Sequence, residues 1–220
     1  MISLALDAAT YAGSVALLDG SRVLAERTVA MRGREREALM PAVAEVLAER
    51  GLTPPELGRV ICGDGPGSFT SLRIAGGIAK GLAMAVGIPL VGVSSLALVV
   101  ASQTALRPGR YLAALDALRG EHYVELYEVA AGGAVALLAP TRLVPSTLVK
   151  TVAVEHSALA VGPGQPHGTA APHARAAAGL ATLLDATAPA DLASWEPRYG
   201  RLAEAQVKWE AAHGRPLVAS

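Results

Sequence analysis

Ile2-Ser3-Leu4-Ala5-Leu6-Asp7-Ala8-Ala9-Thr10, followed by Ser14-Val15-Ala16-Leu17-Leu18, is the stretch that decides the fold. A short apolar run ends in an aspartate, the chain turns, and a second apolar run returns. Asp19-Gly20 is a hairpin signal, and residues 23–29 read as a third strand. The second half of the chain begins in the same way. Residues 111–115 form an apolar run that ends in Asp116, and Tyr123-Val124-Glu125-Leu126-Tyr127 starts seven residues after that aspartate, as Ser14 does after Asp7. Gly132-Gly133 then turns the chain into a return strand at 135–138. The repetition predicts two copies of one unit, three antiparallel strands followed by helix, strand and helix. The fold class is therefore α/β with alternating layers, with an N-terminal lobe at 1–107 and a C-terminal lobe at 108–220.

Within the first lobe, residues 32–37 are charged and expected on the surface. A helix follows at 40–50, with Pro41 in its first turn and Gly51 closing it. A strand is expected at 59–62 and a helix at 70–86. Residues 81–106 carry no charge and are long enough to suggest a membrane span. However, Gly87-Ile88-Pro89 breaks any helix there, 88–93 is rich in β-formers, and Ser94-Ser95 reads as an N-cap. Helix, buried strand, helix is the better reading. In the second lobe, 159–161 is a short strand, 173–184 an alanine-rich helix and 195–199 extended. A final helix at 203–212 could pack back on the first lobe.

Of 220 residues, 52% are hydrophobic and 17% charged, with Lys+Arg and Asp+Glu equal at 19 each. A neutral chain has no general electrostatic pull on nucleic acid, so any service to one is expected through a partner or a small patch. Cys62 is the single cysteine. It excludes an intrachain disulfide and a cysteine-based zinc site, and it reads as a buried small hydrophobe. A reducing cytoplasm fits this usage. The N-terminus has no basic stretch and Asp7 interrupts its apolar run, so it reads as a strand rather than a signal peptide.

Gly63-Asp64-Gly65-Pro66-Gly67-Ser68 lies between a strand and a helix, a placement that suits anion binding by unpaired helix N–H groups. A P-loop would need Gly-Lys-Ser/Thr at its end, and no lysine occurs before Lys80. A dinucleotide fingerprint would need a glycine at Ser68 and an acid about twenty residues on. The alternative is a turn that simply needs glycine. Asp7 and Thr10 could similarly cradle phosphate and a hydrated cation, or could only shape an Asx or ST turn. The helix after the loop carries Gly76, Gly77 and Gly81, each costing about 1 kcal/mol against Ala. Close approach of another element is the natural compensation, either within the lobe or across a subunit interface. The five histidines, His122, His156, His167, His173 and His213, include no pair four apart, so no helical metal pair exists. No nucleophile stands out.

The segment Gly65-Pro66-Gly67-Ser68-Phe69-Thr70-Ser71-Leu72-Arg73-Ile74, with its small-residue helix and Ile88-Pro89-Leu90-Val91-Gly92-Val93-Ser94-Ser95-Leu96, resembles the TsaB family of bacterial tRNA threonylcarbamoyladenosine biosynthesis subunits. The opening hairpin, Leu115-Asp116-Ala117-Leu118-Arg119-Gly120-Glu121 and Pro197-Arg198-Tyr199-Gly200-Arg201-Leu202-Ala203-Glu204-Ala205 agree, so the resemblance spans nearly the whole chain. It implies an actin-like (ASKHA) fold of two duplicated ribonuclease-H-like lobes. It also implies a non-catalytic scaffold that heterodimerises with the catalytic subunit TsaD, is joined by the ATPase TsaE, and can self-associate by the same surface. ATP and magnesium would be used by the complex, with no cofactor or metal expected for this chain alone, no membrane, and tRNA met through the complex. TsaD carries a metal-binding His-x-x-x-His, whereas residues 34–47 here contain no histidine. Interface contacts are expected from Phe69, Leu72, Arg73, Gly76, Gly77 and Lys80 on one helix and Leu39, Val43, Val46 and Leu47 on its neighbour. Asp7, Thr10, Gly65, Gly67 and Ser68 would be a vestigial nucleotide loop. Three departures from the family pattern, Ser71 for a glycine, Ala8 for a threonine and the Ala75-Gly76 placement of small residues, weigh against retained nucleotide binding. The other reading is an actin-like small-molecule kinase or ATPase. A peptidase, the older label of the superfamily, would need a metal or a nucleophile.

Overall fold

The computed structural model describes residues 1–31, 37–104, 106–200 and 213. The charged stretch 32–36 and the expected helix 203–212 lie outside them. The first lobe runs β1 (Ile2–Asp7), β2 (Ala12–Asp19), β3 (Arg22–Ala30), α1 (Leu39–Glu49), β4 (Arg59–Gly63), α2 (Phe69–Val86), β5 (Leu90–Val93) and α3 (Ser95–Ala101). The second runs β6 (Gly109–Asp116), β7 (Glu121–Val129), β8 (Val135–Pro145), α4 (Val149–Glu155), β9 (Ala158–Val161) and α5 (Ala181–Ala186), with a 3-10 turn at Ala174–Gly179. The two sheets have strand orders β3-β2-β1-β4-β5 and β8-β7-β6-β9. In each, the first three strands are antiparallel and the fourth pairs parallel to the first.

The repeat read from the sequence is present, with one slip. Asp7 pairs with Ser14, whereas Asp116 pairs with His122, so the second turn is one residue shorter. Both aspartates close their turns by the same bond: Oδ1 accepts the N–H two residues on, from Ala9 at 3.2 Å and from Leu118 at 2.8 Å. Among the described residues the second sheet has four strands where the first has five. Loop 165–168 folds along the free edge of β9 instead. Ala160 O accepts from His167 N–H at 3.2 Å, and Gly162 N–H donates to Gly168 O at 2.7 Å. These bonds cover an edge that would otherwise present open backbone groups.

Period-two alternation divides the side chains between layers. Leu4, Leu6, Val15 and Leu17 face α1 and the inner side of α2. Ala5, Ala16 and Leu18 face a core shared with Tyr111, Ala113, Leu115 and Tyr127 of the second sheet. Buried α3 lies in that shared core, packed on all sides, which is why its sequence has no polar face. The charge-free residues 81–106 are thus the end of α2, then β5, then α3. Ser94 caps α3 by accepting Leu96 N–H at 3.2 Å, and Gly87 ends α2 with φ +76°. The 18-residue α2 is long and apolar enough to cross a membrane by composition. Here it packs its Ala75, Ala79 and Ala83 face on the first-lobe core.

Three elements differ from expectation. The expected helix at 173–184 is a 3-10 turn followed by the short α5. Strand β8 continues to Pro145, not 138, and tolerates Pro140 because it is an edge strand. Helix α4 stands where the repeat calls for a helix after the third strand, but its range had no local signal: Val-Lys-Thr-Val-Ala-Val-Glu is β-branched and short, and carries no side-chain cap.

Candidate functional site

The ends of β1 and β4, the start of α3 and the middle of β7 converge between the lobes, and each brings a polar side chain. Asp7 is fully buried. Its Oδ2 accepts from Ser95 Oγ at 2.6 Å, and burial pushes its carboxyl up to about 6 despite that bond. Gly63 is what makes room, since a Cβ there would overlap the Asp7 carboxylate. Across the junction, buried Glu125 of β7 accepts from Ser94 Oγ at 2.6 Å and from the hydroxyls of Tyr127 and Thr141. The adjacent serines at the head of α3 therefore tie a carboxylate of each lobe to one helix start. Burial also pushes the Asp64 carboxyl, the Cys62 thiol and the Tyr127 hydroxyl upward.

The loop read as a vestigial nucleotide site is filled by its own chain. A Cβ on Gly67 would overlap the Ala9 backbone, and Ser68 N–H donates to Ala9 O at 2.8 Å. Gly65 N–H donates to Ser95 Oγ at 3.2 Å, and Gly65 O accepts from Ser95 N–H at 2.9 Å. Thr10 closes an ST turn, its Oγ1 accepting from Ala12 N–H at 3.3 Å. Asp7, Gly65, Gly67 and Ser68 are thus brought together, but as two turns locked face to face. Two concavities, of about 740 and 290 Å³, lie elsewhere, along loop 166–175. Among the described residues, no group of three or more His, Cys, Asp or Glu is placed to hold a metal.

The segment 195–200 crosses this junction as a strap. Arg198 N–H donates to Asp64 O at 2.6 Å, and its guanidinium grips the Asp64 carboxylate at 2.7 and 3.2 Å. The Tyr199 ring lies 4.5 Å from Phe69 at 49°, and the Arg73 guanidinium stands over the Phe69 ring, 5.6 Å from its centroid. Lys80 Nζ donates to Trp195 O at 3.3 Å, and a Cβ on Gly76 would stand 2.7 Å from Pro197 Cγ.

These contacts redraw the expected interface. Leu39, Val43, Val46 and Leu47 of α1 lie in the first-lobe core and Leu72 of α2 in the core shared by both sheets, so as direct contacts they are corrected: these side chains are taken up inside the protein. Phe69, Gly76 and Lys80 lie against the strap. Arg73 and Gly77 remain open, and the outward face of α2 also presents Thr70, Gly81 and Met84. Among the described residues, a Cβ at Gly77 or Gly81, four residues apart, would meet no atom within 4 Å. Sequence reasoning missed Asp64 with Arg198, Ser94 with Ser95 as ties, and Glu125. The signal for Glu125 was a carboxylate at an inward position of an apolar strand.

A family profile described as TsaD, tRNA N6-adenosine threonylcarbamoyltransferase, matches residues 29–184. Among solved structures, a Pseudomonas aeruginosa protein described as similar to peptidase YeaZ aligns with a TM-score of 0.74 at 28% identity, covering 91% of this chain and 99% of that one. YeaZ from Pseudomonas aeruginosa aligns at 0.70 and 28%, covering 90% and 99%. Together with the duplicated sheets, these matches define an actin-like α/β protein of the TsaD type. The Bacillus subtilis tRNA threonylcarbamoyladenosine biosynthesis protein TsaB is 31% identical over 95% of this chain and 98% of its own length. Its Escherichia coli counterpart is 39% identical over 57% of this chain and 54% of its own. The chain belongs to the TsaB family of tRNA threonylcarbamoyladenosine biosynthesis proteins.

Proposed function

We propose that this chain is the non-catalytic partner subunit of the complex that forms N6-threonylcarbamoyladenosine in tRNA beside the anticodon. It acts by heterodimerising with a TsaD-like catalytic subunit. A TsaE-like ATPase joins them, ATP and magnesium are used by the complex, and tRNA is met through the complex rather than by this neutral chain alone. In isolation the same surface serves a homodimer, and the protein works in the cytoplasm. The observation that carries the reading is the outward face of α2. Gly77 and Gly81 leave backbone open on an exposed helix, and Met84 beside them is 62% exposed. Glycines that weaken a helix and meet nothing among the described residues are explained by close approach of a second helix. The non-catalytic part is supported by loop 65–68, whose Gly65 and Ser68 N–H groups are already bonded within the chain.

The test is reconstitution of the modification from purified TsaD-like and TsaE-like subunits, their threonylcarbamoyl donor and tRNA, with and without this chain. The modified nucleoside, measured by mass spectrometry, is expected only when the chain is present. Equal modification without it refutes the proposal. Micromolar binding of ATP with magnesium by the chain alone would favour the actin-like kinase or ATPase instead.

A further inference from the structure

The strap touches both lobes. From the first, Asp64 and Phe69 hold it; from the second, a Cβ on Gly200 would stand 2.6 Å from the Tyr123 ring, and Tyr123 Oη donates to Tyr199 O at 3.5 Å. Its seat is cut into backbone. A Cβ on Gly65 would overlap Arg198 O, and one on Gly92 would stand 3.3 Å from Trp195 Nε1. With Gly76, three separate elements of the first lobe forgo a side chain where the strap lies. On the other flank of α2, Ile74, Ile78 and Leu82 turn to the first-lobe core. The open Gly77 and Gly81 stripe therefore runs beside a ridge made by Arg73, Phe69 and Tyr199.

The structure assigns Arg198 a positioning role: by fastening the strap to Asp64 it holds the Tyr199–Phe69–Arg73 ridge as an ordered wall beside the docking face of α2. This rests on the docking reading above. Arg198 itself points at Asp64 and acts through the strap. Its loss removes a two-pronged, charge-assisted bond and leaves a buried carboxylate without its cation, so the closed strap becomes the costly state. Tyr199 then leaves Phe69, and the order of the wall must be restored when the partner docks, which weakens binding.

The experiment compares Arg198→Ala, Tyr199→Ala and Asp64→Asn/Arg198→Ala with the unaltered chain, by hydrogen exchange, thermal melting and affinity for the purified TsaD-like subunit. Arg198→Ala is expected to lose amide protection at 195–200 while β1 and β4 keep theirs, and to bind the partner about tenfold more weakly. Tyr199→Ala is expected to weaken binding with the ion pair intact. The double variant is expected to be no weaker than Arg198→Ala alone, because both changes break one fastening. A strap that stays protected in Arg198→Ala, or a loosened strap with unchanged or tighter binding, overturns the role. If Gly77→Leu weakens binding and Arg198→Ala leaves it unchanged, this inference alone fails. If neither variant affects binding, the docking reading fails with it.

Discussion

Replacing Asp7 with asparagine should make the protein more stable at neutral pH. The carboxyl is fully buried, and desolvation lifts it from 3.8 to about 6 against the bonds from Ser95 and Ala9. Between those values the folded protein holds a proton that the unfolded chain has released. Unfolding free energy therefore falls as pH rises through this window, and the penalty is complete above about 6. A gap of about two pH units corresponds to ~3 kcal/mol. The asparagine side chain cannot ionise, and the Ser95 hydroxyl can rotate to serve its amide. Asp7→Asn should match the unaltered protein near pH 4 and exceed it at pH 7 by up to about 3 kcal/mol, or ~6–12 °C in melting temperature for a chain of this length. Urea unfolding of both proteins across that range isolates the effect, since titrating groups that do not interact with Asp7 cancel in the difference. An Asp7→Asn protein less stable than the original at pH 7, or a difference that ignores pH, would refute the argument.

Gly63→Ala should cost about 2–4 kcal/mol in urea unfolding, because the new methyl displaces the buried Asp7 carboxylate from its bonds. Gly76→Ala should change global stability little. The helix gains about 1 kcal/mol of propensity while the methyl pushes on Pro197, so the effect should show as lost amide protection at 195–200. Burial holds the His173 imidazole below its usual value, with Nδ1 accepting Arg175 N–H at 3.1 Å and Nε2 3.1 Å from Thr28 Oγ1. Its contribution is present above pH 6.5 and lost as pH falls through the lowered value, when Nδ1 becomes a donor. Amide protection at 170–180 should therefore weaken on acidification, and His173→Gln should flatten that dependence.

Much of the architecture was legible in the sequence because it rests on local signals. The Asp7 and Asp116 turns announced the repeat, Ser94 announced α3, and Gly51 and Gly87 ended their helices. The missed features depend on distant residues. Leu39, Val43, Val46 and Leu47 have the spacing of one helix face, and such a face is claimed first by the helix's own core; only the fold shows that nothing is left for a partner. Gly76 and Gly77 are neighbours of one type with opposite surroundings, and the difference lies in Pro197, far along the chain. The Asp64–Arg198 pair joins the same distant segments. The covering of the β9 edge was equally invisible, because loop 165–168 makes it with backbone bonds that carry no sequence signature.

The central claim, that the open face of α2 is where the catalytic subunit docks, is tested most directly by the affinity of Gly77→Leu for the purified TsaD-like subunit. Among the described residues leucine meets no atom at Cβ, and it favours the helix by up to about 1 kcal/mol, so the isolated protein should melt no lower than the original. Against a closely packed partner helix the same side chain should weaken binding by about ten- to a hundredfold. Full affinity in a properly folded Gly77→Leu protein would contradict the account.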